Sequence, residues 1–386
     1  MANIYKGRGS AADNKQLIEV LDDVFFRDEV PETHFMTLLP KLYKDKYEPA
    51  YNNFMIKEDG EIKASVGLFP MTMNAGGIEI KIGGIGNVAV ARDSRGKGYM
   101  IECMNMCLEQ MKNDGTDISL LGGQRQRYEH FGYDLAGVSV NVNVVRRNIA
   151  YIKGADYTNS YTAREITQND IEIIKKIKTL HETMCVYVNR PEEDYVDILR
   201  SWSSVPYAVF DGNEFKGYFC RRGEGNVQEL KATNVEDTLD VILCALNTMG
   251  TDGLSFSVPP YDTETCEYLS INSNGCELEP SENTSIFNYA KFIKAFLGVK
   301  ARRLKLGEGS IVLLIHGIKK DEQLKITVRG SEVTVEDTTD APNLELGHLE
   351  ACRLLNALYC KNREKLPAFA AGWFPVDYSF FQQDNV

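Results

Sequence analysis

At 386 residues the chain is too long for one ordinary hydrophobic core, and two or three domains are expected. Its 43% hydrophobic and 25% charged content is that of a globular protein without a long disordered arm. A formal net charge of −12 argues against nucleic acid as the main partner, since phosphate binding rests on clustered lysine and arginine, and it favours a cationic substrate. The nine cysteines form no CxxC pair and no repeated spacing, so they signal neither a zinc site nor a disulfide framework. The amino-terminal MANIYKGRGSAADNK lacks the apolar core of a signal peptide, and the longest apolar run, SIVLLIHGI, is too short to span a bilayer. A cytoplasmic protein with no membrane contact is expected.

The elements follow in chain order. Phe25, Phe26, Asp28 and Glu29 come after a first helix and have two readings: an aromatic and acidic mouth for a cationic amine, or a solvated loop with two core aromatics. Residues 54 to 90 read as an antiparallel meander, with turns at Asp59-Gly60 in FMIKEDGEIKASVG and at Gly76 and Gly77 in MNAGGIEIKIGG. The third strand carries Ile85, Val88 and Val90 straight into a basic turn, Arg95-Gly96-Lys97-Gly98. Met100, Cys103, Met104, Cys107, Leu108 and Met111 then recur at helical spacing, and Asn113-Asp114-Gly115 stops that helix. DISLLGG is a short strand, followed by polar QRQRYEH and the strand-like run FGYDLAGVSVNVNVV. Strand, helix and strand in this order place the two strands parallel, with the glycine turn at the carboxyl end of the first, where ligands of open α/β sheets sit.

A weaker version of the pattern comes next, with two readings: a second domain of the same fold, or a generic α/β domain that shows the order by chance. YAVFDGNEFKGYFCRRGEGNVQELKAT reads as a second meander turning at Asp211-Gly212, VEDTLDVILCALNTM as a helix and LSFSVPP as the following strand, without an Arg-Gly-x-Gly turn. HETMC at 181–185 lacks the second histidine of a zinc-protease motif and reads as helix. From about Ser285, the strand-like runs IVLLIHGI, LKITVRG and EVTVED, the helix LELGHLEACRLLNAL and the aromatic tail WFPVDYSFFQQDNV suggest a small α+β domain.

A basic glycine turn between a strand and a helix suits a phosphate. A P-loop needs Ser or Thr after Gly-Lys, which Gly98-Tyr99-Met100 does not supply. A dinucleotide fingerprint needs Gly or Ala where Ile101 stands, and a βαβ unit rather than a preceding meander. Two readings remain: a plain surface loop, or a cradle for the pyrophosphate of coenzyme A. In the cradle, the amides from Arg95 to Met100 and the positive end of the helix face the oxygens, and Arg95 and Lys97 add charge.

VAVARDSRGKGYM resembles motif A of the GNAT acetyltransferases, a strand followed by Gln or Arg, two residues, Gly, one residue, then Gly or Ala. Arg95 and Gly98 match, and Met100 stands where Gly or Ala is expected. LGGQRQRYEHFGYDLAG is similar to the superfamily segment in which a tyrosine, here Tyr128, precedes a Phe-Gly-Tyr or Gly-Phe turn, here Phe131-Gly132-Tyr133. With the second meander and the aromatic end, the chain resembles the Eis-like branch. That resemblance implies an α/β and α+β protein with tandem GNAT-like mixed-sheet domains, followed by a sterol-carrier-like α+β domain. Its expected parts are residues 1–148 with the acetyl-CoA site, 149–284 without the donor motif, and 285–386 with a tail reaching the active site.

The implied chemistry is acetyl-CoA-dependent N-acetylation of a primary amine on an unidentified small molecule or peptide, without a metal. Val88, Ala89 and Val90 present amides to the acetyl carbonyl, in the family through a bulge, and Arg95, Gly96, Lys97, Gly98 and Tyr99 hold the donor. Tyr128 is the candidate general acid for the leaving thiolate; the plain alternative is a tyrosine packed in a seam. The resemblance implies that the base is the terminal carboxylate, here of Val386, in a segment pinned by Phe380 and Phe381; His130 is the side-chain alternative. The resemblance also implies a homo-oligomer. Two other functions compete: transfer of a longer acyl chain, and carriage of an apolar ligand by the C-terminal domain. Trp373, Phe374, Tyr378, Phe380 and Phe381 weigh against the carrier, because they can fill such a cavity themselves.

Overall fold

Strand β1 (Ile4–Arg8) and helix α1 (Asn14–Phe26), which buries Leu17 and Leu21, precede two single-turn helices, α2 (Phe35–Leu38) and α3 (Pro40–Tyr43). The structure is a computed structural model and describes residues 3–27 and 34–386. The expected meander forms as β2 (Asn53–Glu58), β3 (Glu61–Ala75) and β4 (Ile78–Val90). Helix α4 (Tyr99–Asp114) buries Cys103, Met104, Cys107, Leu108 and Met111 on one face. Burying a leucine or methionine side chain contributes about 1.5–3 kcal/mol, so this stripe is what fixes the helix to the sheet. Strand β5 (Ile118–Leu121) then runs parallel to β4, as the strand, helix and strand order requires, and α5 (Arg125–Tyr128) and β6 (Asp134–Ala136) follow.

The next stretch holds β7 (Ser139–Val145), α6 (Arg146–Lys153), β8 (Tyr161–Glu165), α7 (Ile171–Glu182), β9 (Val186–Val188) and α8 (Tyr195–Leu199). The second meander is β10 (Val205–Asp211), β11 (Glu214–Arg221) and β12 (Val227–Ala232), followed by α9 (Thr238–Met249), β13 (Gly253–Val258), α10 (Thr263–Asn272) and β14 (Gly275–Glu279). The last part contains β15 (Glu282–Ile286), α11 (Tyr289–Arg303), β16 (Gly309–His316), β17 (Asp321–Arg329), β18 (Glu332–Asp337), β19 (Leu344–Gly347) and α12 (His348–Asn356). The segment LELG, expected as the start of a helix, is instead β19, parallel to β16. Its alternating Leu344 and Leu346 are buried, and the helix starts only at His348, where Glu350 accepts from the Gly347 amide at 3.0 Å.

Two compact units result. One comprises Met1–Gly137, Glu282–Asp377 and Asn385–Val386; the other comprises Val138–Ser281 and Tyr378–Asp384. The divisions expected at 148 and 284 therefore move. Strand β7 pairs with β13 and β14, and its Val140, Val142 and Val144 join a core with the buried face of α9. Strand β15 returns to the first unit, in a sheet ordered β1-β2-β3-β4-β5-β15-β6. Residues 285–377 thus share a unit with the N-terminal residues, and their own sheet is ordered β18-β17-β16-β19.

In the second unit, a parallel bridge between Asn226 and Ser255 links the start of the β12 segment to β13, repeating the strand, helix and parallel strand of the first. Here the first turn before α9 carries Glu236 and Asp237, so carboxylates of the chain itself face the helix's positive end. A buried cluster holds the tail of this unit. Arg190 donates to Glu229 at 3.0 and 2.8 Å and to Asp384 at 2.7 and 2.8 Å.

Candidate active site

The strand leading to the glycine turn is bulged. β3 and β4 pair as Ala64↔Val90, Ser65↔Ala89 and then Gly67↔Gly86, so one residue of β3 faces two of β4, Asn87 and Val88. Asn87 sits at φ 41°, a conformation asparagine tolerates better than most residues. Its Nδ2 donates to Asn53 Oδ1 at 2.6 Å and to Ser65 Oγ at 3.2 Å, and both of those residues are buried. The sequence reading missed this anchor; its signal was an amide side chain inside an otherwise apolar alternation, Ile85-Gly86-Asn87-Val88.

On its other edge, β4 pairs with β5 only from Ile82↔Ile118 to Ile85↔Leu121. Beyond that point β4 continues through Val88, Ala89 and Val90 while β5 has ended, so alternate amides of this stretch face a gap. Val88 and Val90 are half-buried against the core that holds Tyr99, Cys103, Met104 and Tyr128, and Ala89 is buried.

The turn is built for backbone donors. Gly96 and Gly98 take φ 80° and 82°, and Gly98 starts α4 with no side chain capping its first amides. A Cβ added at Gly98 would meet no atom within 4 Å, so the turn faces open space. Arg95, Gly96 and Lys97 are exposed. Lys97 Nζ lies 3.2 Å from both Glu58 oxygens, and the Tyr99 hydroxyl donates to the same carboxylate. Those two contacts, Tyr99 first, hold the Glu58 carboxyl below its ordinary range. Because Lys97 already faces a carboxylate, the amides and the helix end are the stronger anion donors here.

Tyr128 ends α5, beyond the carboxyl end of β5, with 5% of its surface exposed. Burial pushes its phenol up, opposed by the neighbouring Arg127, so the hydroxyl keeps its proton at neutral pH. The segment around it is clamped. Arg125 and Arg353 both bond Asp134, and they donate to Glu129 Oε1 at 3.1 and 2.8 Å. His348 Nε2 lies 2.9 Å from the Gly132 carbonyl oxygen. His130 is exposed, its ring 4.2 Å from that of Phe131, and it is not part of this clamp.

Val386 lies against β4. A Cβ at Gly84 would come within 2.6 Å of Val386 Cγ2, and one at Gly86 within 2.9 Å of its carbonyl carbon and 3.2 Å of its oxygen. Two glycines on one face of the strand thus make the seat for this residue. Phe69 borders the same seat, 3.3 Å from the Gly86 Cβ position, and an aromatic row runs from it through Tyr43 and Phe35 to Phe25 and Phe26. Asp28 and Glu29 lie outside the described residues. Asn385 Nδ2 donates to Glu282 Oε2 at 2.8 Å, a carboxylate that sequence reasoning had not singled out. Among the described residues, no three histidine, cysteine or acidic groups gather as a metal site. No helix among them is long and apolar enough to cross a membrane.

Comparison with known proteins agrees with this geometry. Residues 8–136 match the family model described as an acetyltransferase (GNAT) domain. No curated protein sequence matches the chain. Among solved structures, a GCN5-related N-acetyltransferase from Kribbella flavida is 16% identical, over 91% of this chain and 88% of that one, with a TM-score of 0.64. Another from Anabaena variabilis is 15% identical over 94% and 92%, with a TM-score of 0.68. Eis1 from Mycobacterium abscessus is 13% identical over 91% and 88%, with a TM-score of 0.59. At these identities the three structures share the fold. Enzymes of the matched family draw on an acyl-CoA and an amine-bearing acceptor. Residues 8–136 therefore carry a GNAT acetyltransferase domain, and the chain is an acetyltransferase.

Proposed function

We propose that the enzyme transfers the acetyl group of acetyl-CoA to a primary amine of a cationic small molecule or peptide. The observation that carries this reading is the bulge at Asn87 and Val88, in the stretch where β4 runs on past the end of β5 toward the uncapped glycine turn. The turn amides from Gly96 to Tyr99, with Arg95 and Lys97, receive the pyrophosphate. The amides of Val88, Ala89 and Val90 hold the thioester carbonyl and the negative charge that develops on its oxygen. The amine nitrogen attacks the carbonyl carbon, the C–N bond forms and the C–S bond breaks. Tyr128 gives its proton to the departing sulfur, and a carboxylate at Val386 takes one from nitrogen. The glycine seat at Gly84 and Gly86 supports that last role, because it brings Val386 to the strand that offers the amides.

The sterol-carrier-like character of residues 285–386 and the homo-oligomer rest on the resemblance to Eis-like enzymes. A thiol-release assay tests the function, with acetyl-CoA and octanoyl-CoA offered to a panel of amines. Amine-dependent release is expected with acetyl-CoA, and it is expected to vanish when a few glycines follow Val386 while Val386→Ala stays active. Preference for octanoyl-CoA would reassign the donor, and no amine-dependent release from either donor would refute the reading.

A further inference from the structure

An alkylamine near neutral pH arrives as an ammonium ion, so two protons must leave its nitrogen before the amide is complete. The first departure exposes the lone pair, and the second follows formation of the C–N bond. The carboxylate at Val386 accounts for one of them. A second carboxylate within reach of the same nitrogen would take the other faster than solvent does.

Glu282 occupies that place. It opens β15, which lies beside β5 with Asn283 opposite Leu121, and Leu121 in turn faces Ile85 of β4. One step along each strand, Glu282 and Gly86 therefore fall in the same row across the sheet, on either side of the gap where β5 has ended. The last two residues of the tail bridge that row. Asn385 bonds Glu282 at 2.8 Å, and Val386 rests on Gly86. The other Glu282 oxygen, Oε1, accepts from the Asn283 amide at 3.1 Å. Glu282 is half-buried, and among the described residues no lysine, arginine or histidine pairs with it. Burial pushes its carboxyl above the ordinary range, with the Asn283 amide and the Asn385 side chain opposing. A carboxylate that is partly desolvated, held by two amide donors and without a cation is suited to receive an ammonium group and take its proton.

We propose that Glu282 is the acceptor-binding carboxylate of this enzyme, receiving the substrate's ammonium group at the bridge between Asn385 and β15 and accepting its first proton. This rests on the acetyltransfer reading above. The protons balance: the ammonium gives one to Glu282 and, after attack, one to the Val386 carboxylate. The sulfur gains one from Tyr128, which regains it from the site, and one is released to solvent.

The test compares two acceptors of similar shape on one enzyme preparation: 2-phenylethylamine, an ammonium ion near neutral pH, and benzohydrazide, which is neutral there. Glu282→Gln keeps the size and removes the charge; its oxygen still accepts from the Asn283 amide, and its new NH2 bonds Asn385 once that side chain turns its Oδ1 toward it. The ratio of kcat/KM for the two acceptors is independent of how much of the variant is folded. In Glu282→Gln this ratio is expected to fall about 100-fold against the parent, the size of a general-base contribution, with the loss confined mainly to the ammonium substrate. A ratio within about 3-fold of the parent overturns the assignment while leaving acetyl transfer intact. No amine-dependent release by the parent enzyme across the whole amine panel, these two acceptors included, overturns the acetyltransfer reading and this inference together.

Discussion

At the scale of single residues, the site depends on side chains that have been taken out of water. Tyr128 is nearly buried, and its phenol is shifted upward, so it stays protonated through neutral and mildly alkaline pH. A phenol in that state can serve the leaving sulfur, and its loss would not explain a fall of activity on the acid side. Tyr128→Phe keeps the ring in its core and removes only the proton. Turnover is expected to drop by roughly 10²–10⁴ where chemistry limits the rate, with acetyl-CoA affinity almost unchanged. Near-normal turnover in that variant would reduce Tyr128 to a packing residue. Asn87 works differently, through backbone shape. It holds a left-handed conformation that a β-branched residue would resist, and its amide ties the bulge to Asn53 and Ser65.

Elements are where local pattern and long-range pairing part company. The meander of β2, β3 and β4, the stripe of α4 and the parallel return of β5 were legible because alternation, turn glycines and helical spacing are local signals. The strand β15 was not. Nothing in ENTSI states that it lies between β5 and β6, since the partners of a strand are not written in its own residues. The same gap hid Glu282, whose role depends on that insertion, and it placed β7 in the wrong half. Helix α11 was also missed, although Lys291, Lys294 and Arg302 recur at helical spacing on its less buried side. The insertion has a consequence for the fragment 1–148, which lacks both β15 and Phe287, a member of the α4 core. Losing one buried phenylalanine costs about 3–5 kcal/mol, against about 5–15 kcal/mol for a whole domain. Phe287, Ile286 and the ladder to β5 go together, so the fragment is expected to show no cooperative thermal transition in circular dichroism. A sharp transition like that of the full chain would mean that residues 1–148 form a domain of their own.

For the whole molecule, the acidic balance and the donor site pull in opposite directions. A chain with a formal net charge of −12 has to bind an anionic donor through a local feature, and the turn between β4 and α4 is where uncapped amides and a helix end converge. The second unit has the same strand and helix order with Glu236 and Asp237 at the corresponding helix start, which disfavours an anion there. The most direct measurement is calorimetric titration of coenzyme A into the parent enzyme and into Gly98→Val. Valine at φ 82° carries about 1–2 kcal/mol of strain, yet its Cβ meets no protein atom, so the fold should survive with only a lowered thermal midpoint. The side chain instead enters the space in front of the amides. The account predicts clear binding to the parent and a dissociation constant raised at least about 10-fold in the folded variant. Unchanged coenzyme A binding in folded Gly98→Val would contradict it.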